Sequence, residues 1–226
     1  MSQALYQVAT WLIPLIIAIV FHEVAHGWVA RFFGDPTAGQ RGRLSLNPIR
    51  HIDPVGTIIL PMGLAMAGVP IFGWAKPVPV DQRRLRNPRL HMMFVALAGP
   101  GMNLLLAALT FIALGGVVAL FGQQPNAAIA FIEANLVNFA IINVMLAVFN
   151  LLPIPPFDGG HVVEGLLSPT LARRYARLGR YGLPLMILLL VVLPMLAPQA
   201  DIVPRLIGPP INWILGQGTR FLSLFG

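Results

Sequence analysis

The sequence contains no cysteine, which excludes disulfide bonds, thiolate nucleophiles and thiolate metal ligands. It is also poor in charge, because only 10% of its 226 residues are charged, against about 25% in soluble domains. Hydrophobic residues make up 57% of the chain, and several apolar stretches approach the roughly 20 residues that a membrane-spanning helix needs. These features exclude an ordinary soluble domain and predict an all-α polytopic membrane protein.

Four apolar stretches are long enough to be predicted as firm transmembrane helices. They are residues 4–33, 90–121, 127–150 and 181–196. A further apolar segment, residues 202–226, contains Pro204, Pro209 and Pro210. It is therefore expected to span the membrane, to lie at its interface or to re-enter it, and the sequence leaves these alternatives open.

The connection between the first two helices, about residues 40–80, has a different pattern. Leu44 and Leu46 alternate with polar residues, which predicts a short strand. Residues 54–72 are apolar but interrupted by glycine and proline, and residues 74–80 contain two prolines and are expected to be extended. This connection is therefore predicted to contain a re-entrant segment and a short β segment.

The basic residues predict how the chain is oriented. The net charge is +7, and 13 of the 15 lysines and arginines lie beside or within this connection or between helices three and four. Short basic loops mark the cytosolic side, so the charge is interpreted as a topology signal rather than as a nucleic-acid interface. A spanning segment at residues 54–72 would separate its two basic flanks, which again favours re-entry.

A cluster of ionisable residues interrupts the first apolar stretch. His22, Glu23 and His26 form H-E-V-A-H, and residues four apart share one helix face. Both imidazoles can therefore reach one zinc ion, with Glu23 placed to take a proton from water. Three ionisable groups on one turn of a membrane helix cost several kcal/mol unless something compensates them, and a bound divalent cation would do so.

A hydrolytic zinc site needs a third protein ligand. Glu133 and Asp158 are the acidic candidates in apolar surroundings. Glu133 lies near the outer end of helix three, whereas Asp158 follows that helix at the end where the histidines are expected, so depth favours Asp158. Prolines 153, 155 and 156 break the helix before it, and Gly159 and Gly160 permit close backbone approach.

The motifs together resemble the site-2 protease family. The family pattern N-x-x-P-x-P-x-x-D-G is matched at Asn150, Pro153, Pro155, Asp158 and Gly159, and A-G-P-G-M-N at residues 98–103 is similar to a further family pattern. The resemblance implies Zn²⁺ held by His22, His26 and Asp158, with Glu23 as general base. It also implies cleavage of peptide bonds within or beside transmembrane helices of substrates.

Several further expectations follow from this resemblance, from the composition and from the distribution of charge. The chain, residues 1–226, is expected to be one membrane-embedded protease domain, with a catalytic core at about 4–166, C-terminal helices at 167–226 and no PDZ or cystathionine-synthase-type module. Single-span membrane proteins in the lipid bilayer are the expected substrates, and nucleic acid is not an expected partner. The active site is expected to face the cytosolic side of a bacterial or archaeal membrane, and the oligomeric state stays open.

Two asparagines and one backbone edge complete the candidate site. Asn150 and Asn103 are expected to bind substrate, although helix capping and an interhelical hydrogen bond are the respective alternatives. An edge at residues 44–46 or 74–80 is expected to pair with an unwound substrate strand. The competing function is a membrane metal transporter, since intramembrane histidines and acids also mark ion pathways.

Overall fold

The fold is built almost wholly from helices. The computed structural model describes residues 3–67, 74–122, 126–197 and 202–225. The α-helices are α1 Gln3–Phe32, α2 Thr37–Gln40, α3 Leu60–Ala67, α4 Pro88–Phe121, α5 Ala127–Asn150, α6 Asp158–Leu166, α7 Pro169–Ala176, α8 Gly182–Ile187, α9 Leu193–Leu196 and α10 Ile202–Leu222. Short 3₁₀ or π segments occupy Pro48–His51, Pro54–Ile59, Gln82–Arg84, Arg177–Tyr181 and Leu188–Val192.

Among the described residues, three helices are long and apolar enough to cross a membrane. They are Tyr6–Phe32, Pro88–Phe121 and Ala127–Asn150, so three of the four predicted spans are confirmed. Asn87 and Asn126 begin the second and third of these helices by accepting hydrogen bonds from backbone N–H groups of the first turn. The three helices pack against one another, and many of their large apolar side chains remain exposed, as lipid-facing surfaces require.

The fourth predicted span is not confirmed. Helix α8, the π segment and α9 form a continuous helical stretch over residues 182–196. Fifteen residues at about 1.5 Å each give about 22 Å, which is less than the hydrocarbon thickness of about 30 Å. The C-terminal apolar segment forms α10, which packs against α4 and α5. Gly218 makes this possible, because a Cβ there would collide with the ring of Phe111.

The predicted strand near Leu44 and Leu46 is not confirmed, since residues 43–47 lie in irregular backbone and the described part of the chain has no strand. Local turns take up the backbone groups instead. The Arg43 N–H donates to the Ala38 carbonyl at 2.8 Å, and the Asn47 N–H donates to Ser45 Oγ at 3.2 Å. A two-residue alternation without a neighbouring strand does not build a ladder.

The predicted re-entrant stretch is helical over residues 54–67, and its remainder lies outside the described residues. Backbone hydrogen bonds join the residues before this stretch to those after it. The Trp74 N–H donates to the Gly56 carbonyl at 3.1 Å, and the Lys76 N–H donates to the His51 carbonyl at 2.8 Å. The two flanks of the stretch are therefore adjacent, which is the arrangement that a re-entrant segment needs.

Residues 74–81 then run as extended backbone against α1. The Arg43 guanidinium donates to the Lys76 carbonyl at 2.6 Å, and the carboxylate of the fully buried Asp35 accepts the Asp81 N–H at 2.6 Å. Gly27 on α1 lets this segment come close, because a Cβ there would lie 2.9 Å from Val78 Cγ1. The extended segment is thereby fixed beside the histidine-bearing turn of α1.

Candidate metal centre

Three side chains from two distant parts of the sequence converge. His22 Nε2 lies 3.2 Å and His26 Nε2 lies 3.4 Å from Asp158 Oδ2, and the two Nε2 atoms are 3.1 Å apart. Two atoms bound at 2.0–2.2 Å to one tetrahedral centre lie about 3.3–3.6 Å apart. The three observed separations fall at or just below that range, so one small ion fits between these atoms.

The local sequence explains how Asp158 reaches the histidines. Helix α5 ends at Asn150, and the proline-containing loop that follows turns the chain so that Asp158 becomes the first residue of α6. A Cβ on Gly159 would collide with the carbonyl oxygens of Leu151 and Leu152. The close backbone approach predicted for Gly159 is therefore required at this turn. A carboxylate at a helix N-terminus is also favoured by the helix dipole.

The outer nitrogens of both imidazoles face oxygen acceptors. His26 Nδ1 lies 2.7 Å from the Val95 carbonyl oxygen, and His22 Nδ1 lies 2.5 Å from Asn103 Oδ1. An oxygen that only accepts requires an N–H on its partner, so each ring carries its proton on Nδ1. Each Nε2 therefore presents a lone pair to the point where the three side chains meet.

The centre is thus a set of three acceptors without a donor. Asp158 Oδ2 is buried and has no hydrogen-bond partner, and a buried acceptor left without a partner is costly. Two neutral imidazole nitrogens and one carboxylate form a donor set that suits zinc, so the residues present fit this metal.

Helix α4 supplies the wall beneath the two rings. A Cβ on Gly99 would lie 2.6 Å from His22 Nε2 and closer still to His26 Nε2. Pro100 follows, and a proline inside a helix leaves the carbonyl four residues earlier without its helical partner. The A-G-P-G-M-N pattern therefore places a residue without a side chain where the imidazoles need the space.

Glu23 lies beside the centre but does not join it. Its Oε2 accepts a hydrogen bond from the Val78 N–H at 2.8 Å. The extended segment thereby fixes the carboxylate through a backbone group rather than through a charged side chain. This arrangement leaves Oε1 as the oxygen available to accept a proton.

The chain is similar to known metalloproteases over most of its length. A model described as "Peptidase family M50" matches residues 112–193. The chain is 41% identical over 180 residues to "Putative zinc metalloprotease YwhC" of Bacillus subtilis, covering 79% of this chain and 78% of that protein. The chain belongs to peptidase family M50, the site-2 protease family.

More distant relatives show the same relationship. "Putative zinc metalloprotease Rip2" of Mycolicibacterium smegmatis is 31% identical over 81% of this chain and 66% of that protein. Rip2 of Mycobacterium tuberculosis is 34% identical over 80% and 65%, respectively. No solved structure matches the chain at a comparable level of significance. Family membership makes this chain a zinc-dependent intramembrane protease.

The structure places the other predicted site residues as follows. Asn103 is fully buried and contacts His22, whereas the Asn150 amide donates to the Leu146 carbonyl of its own helix at 2.9 Å. Among the described residues, the only cluster with metal-ligand geometry consists of His22, His26 and Asp158, so Glu133 is not part of it. The substrate-binding roles of Asn103 and Asn150 stay predictions.

Sequence reasoning missed four contributors to the site. They are the Val95 carbonyl, the Val78 N–H, Gly99 and Asn143. The first two are backbone groups and leave no signal in side-chain patterns. Asn143 left one, because a polar amide in the middle of an apolar helix calls for a partner.

Proposed function

We propose that this M50 protease binds zinc through His22, His26 and Asp158 and uses Glu23 as its general base. The observation that carries the proposal is the convergence of two Nε2 lone pairs on the partnerless Asp158 Oδ2. When bound, zinc supplies a Lewis acid that polarises a carbonyl and makes water more acidic. The protease core would occupy about residues 4–166 of a single membrane domain.

The protein's own groups divide the remaining work. The Val95 carbonyl and Asn103 orient the two imidazoles, and the Val78 N–H holds one oxygen of Glu23. Glu23 accepts a proton from the attacking water and delivers it to the leaving amine. Because the carboxylate is tethered at Oε2, its second oxygen stays aimed at a fixed position during both transfers.

The proposed substrates are single-span membrane proteins cleaved within or beside their transmembrane helix. A peptide in a helix has its carbonyl hydrogen-bonded, so the substrate must unwind before attack. Residues 74–80 could receive the unwound strand. Their N–H groups at Trp74, Lys76 and Val78 point into the protein, so the alternating residues 75, 77 and 79 point outward. Since 77 and 79 are prolines, Ala75 alone offers an outward N–H on this edge.

The active site is proposed to face the cytosol. His22 and His26 lie in the half of α1 that ends near Arg31, and the adjoining loops carry most of the basic residues. The flanks of the re-entrant stretch lie together, which keeps those loops on one side. The positive-inside rule assigns that side to the cytosol.

The test is reconstitution with a panel of single-span substrates. Glu23→Gln should retain zinc and lose about 10²- to 10⁴-fold in cleavage rate, because the proton acceptor is removed while the three ligands remain. Asp158→Ala should lose both zinc and cleavage. Products that persist at the wild-type rate in both variants would refute the proposed site. A transporter that used the same residues would instead move zinc into sealed vesicles, and the family membership favours the protease.

A further inference from the structure

Two buried amides connect the metal centre to the neighbouring helices. Asn103 on α4 and Asn143 on α5 are both 0% exposed. Asn103 Oδ1 lies 2.5 Å from His22 Nδ1, and its Nδ2 donates to Asn143 Oδ1 at 2.7 Å and to the Ala18 carbonyl at 3.4 Å. The Asn143 Nδ2 donates in turn to the Phe139 carbonyl at 2.8 Å. A chain of hydrogen bonds therefore runs from α5 through α4 to a ring on α1.

The direction of this chain is fixed at its far end. The Phe139 carbonyl can only accept, so the Asn143 NH₂ group must face it and the Asn143 oxygen must face Asn103. That oxygen takes the Asn103 NH₂ group, which leaves the Asn103 oxygen toward His22. We infer that Asn143, acting through Asn103, fixes the Nδ1–H tautomer of His22 and so keeps its Nε2 available to the metal.

The two histidines differ in how much their tautomers depend on a side-chain hydrogen bond. His26 faces the Val95 backbone carbonyl, which cannot be exchanged for a donor. His22 faces a side-chain amide, and a half-turn of that amide would present N–H to Nδ1 and favour a proton on Nε2. The nitrogen facing the metal would then be blocked. Asn143 removes this alternative, which makes it a positioning residue without contact to the metal.

The inference rests on His22 being a zinc ligand, as proposed above, and it makes a separate claim about the metal-free ring. Asn143→Leu removes the acceptor for the Asn103 amide at similar volume. Asn103→Leu removes the contact to His22 itself. Asn143→Asp serves as the conservative rescue, because burial favours its protonated form, which keeps a donor for the Phe139 carbonyl and an acceptor for Asn103. Asn138→Leu is the matched control, because the Asn138 amide also joins α5 to α1, donating to the Thr10 carbonyl at 2.8 Å, but does not contact His22.

The readouts are zinc affinity, by competition with a chelator, and the ring ¹⁵N shifts of His22 in the metal-free, detergent-solubilised protein. Loss of an outer partner of a metal-bound histidine weakens affinity by about 10- to 100-fold. We expect that loss in Asn103→Leu, about a tenfold loss with a mixed tautomer in Asn143→Leu, and near wild-type affinity in Asn143→Asp and Asn138→Leu.

Two results would overturn the inference. The first is an Asn143→Leu protein that keeps both the Nδ1–H signature and wild-type zinc affinity. The second is an Asn138→Leu protein that loses as much affinity as Asn143→Leu, because the effect would then come from helix packing. Failure of the proposed function is recognised separately. In that case His22→Ala would bind zinc as tightly as the wild-type protein, whatever the tautomer of His22.

Discussion

Gly99→Ala adds one methyl group beside the metal centre and retains all three candidate ligand residues. The added Cβ would lie 2.6 Å from His22 Nε2, whereas non-bonded heavy atoms settle at about 3.5 Å or more. The ring must therefore move by about 0.9 Å. Zinc–ligand distances are held to about 0.2 Å, so a displacement of this size removes His22 from a shared ion. We expect zinc affinity to fall by at least about 100-fold.

The same substitution should not unfold the protein, and this separates the two effects. Alanine is favoured over glycine within a helix by about 0.5–1 kcal/mol, which offsets part of the about 1–3 kcal/mol that overpacking a buried site costs. Helix content should therefore stay at the wild-type value, and thermal stability without metal should fall only modestly. Gly101→Ala is the matched control, because nothing lies within 4 Å of its added Cβ on the same helix. Zinc content by mass spectrometry, chelator competition and circular dichroism are the measurements. A Gly99→Ala protein that binds zinc as tightly as Gly101→Ala would refute the reasoning.

The extended segment and the orientation of the chain are tested in the same preparations. Val78→Pro removes the N–H that holds Glu23 and should slow cleavage about tenfold with zinc retained. Val78→Ala keeps that N–H and should cleave at the wild-type rate. Ala75→Pro removes the proposed outward donor and should weaken cleavage by raising KM. Equal rates in the two Val78 variants, or an unchanged KM in Ala75→Pro, would count against these roles. Because the sequence has no cysteine, a single introduced cysteine is the only thiol that a labelling reagent can modify. Arg177→Cys should react with an impermeant reagent from the cytosolic side, and Ala127→Cys should react from the opposite side. The reverse pattern would invert the proposed orientation.

The sequence predicted the elements whose signal is local. The spacing of His22 and His26 follows from the helix period, and the bounds of α4 and α5, Pro88–Phe121 and Ala127–Asn150, lie within two residues of those predicted from apolar runs. Asp158 was reached by an argument about depth, which needs only the order of the helices along the chain. The first two inferences depend on a few neighbouring residues and the third depends only on helix order, so none of them requires knowledge of how one helix is rotated against another.

The sequence did not predict the features that depend on how helices are rotated about their axes. A helix that is apolar on all sides gives little indication of which face meets which neighbour, so the pairing of Asn143 with Asn103 was invisible. The alternation at Leu44 and Leu46 was read as a strand because hydrophobic period alone does not supply a partner strand. The Val78 N–H could not be found for a different reason, since any non-proline residue at that position supplies the same group.

The hydrogen bonding of the buried polar groups in the membrane-spanning helices shows why the buried, partnerless Asp158 Oδ2 matters. The buried polar residues described in α1, α4 and α5 each have a hydrogen-bond partner; these are Thr10, His22, Asn103, Thr110 and Asn143. One oxygen on the half-buried Asn135 of α5, its Oδ1, has none, although the same amide donates through Nδ2 to the Phe131 carbonyl. Lipid offers no water to replace a missing partner, so helices that leave few polar groups unpaired have a physical reason to do so. Asp158 Oδ2 differs from Asn135 Oδ1 because two imidazole nitrogens, His22 Nε2 and His26 Nε2, converge on it. A proton could satisfy only one of the three acceptors directly, whereas a divalent cation satisfies all three at once, and the separation of the three atoms matches the size of such an ion.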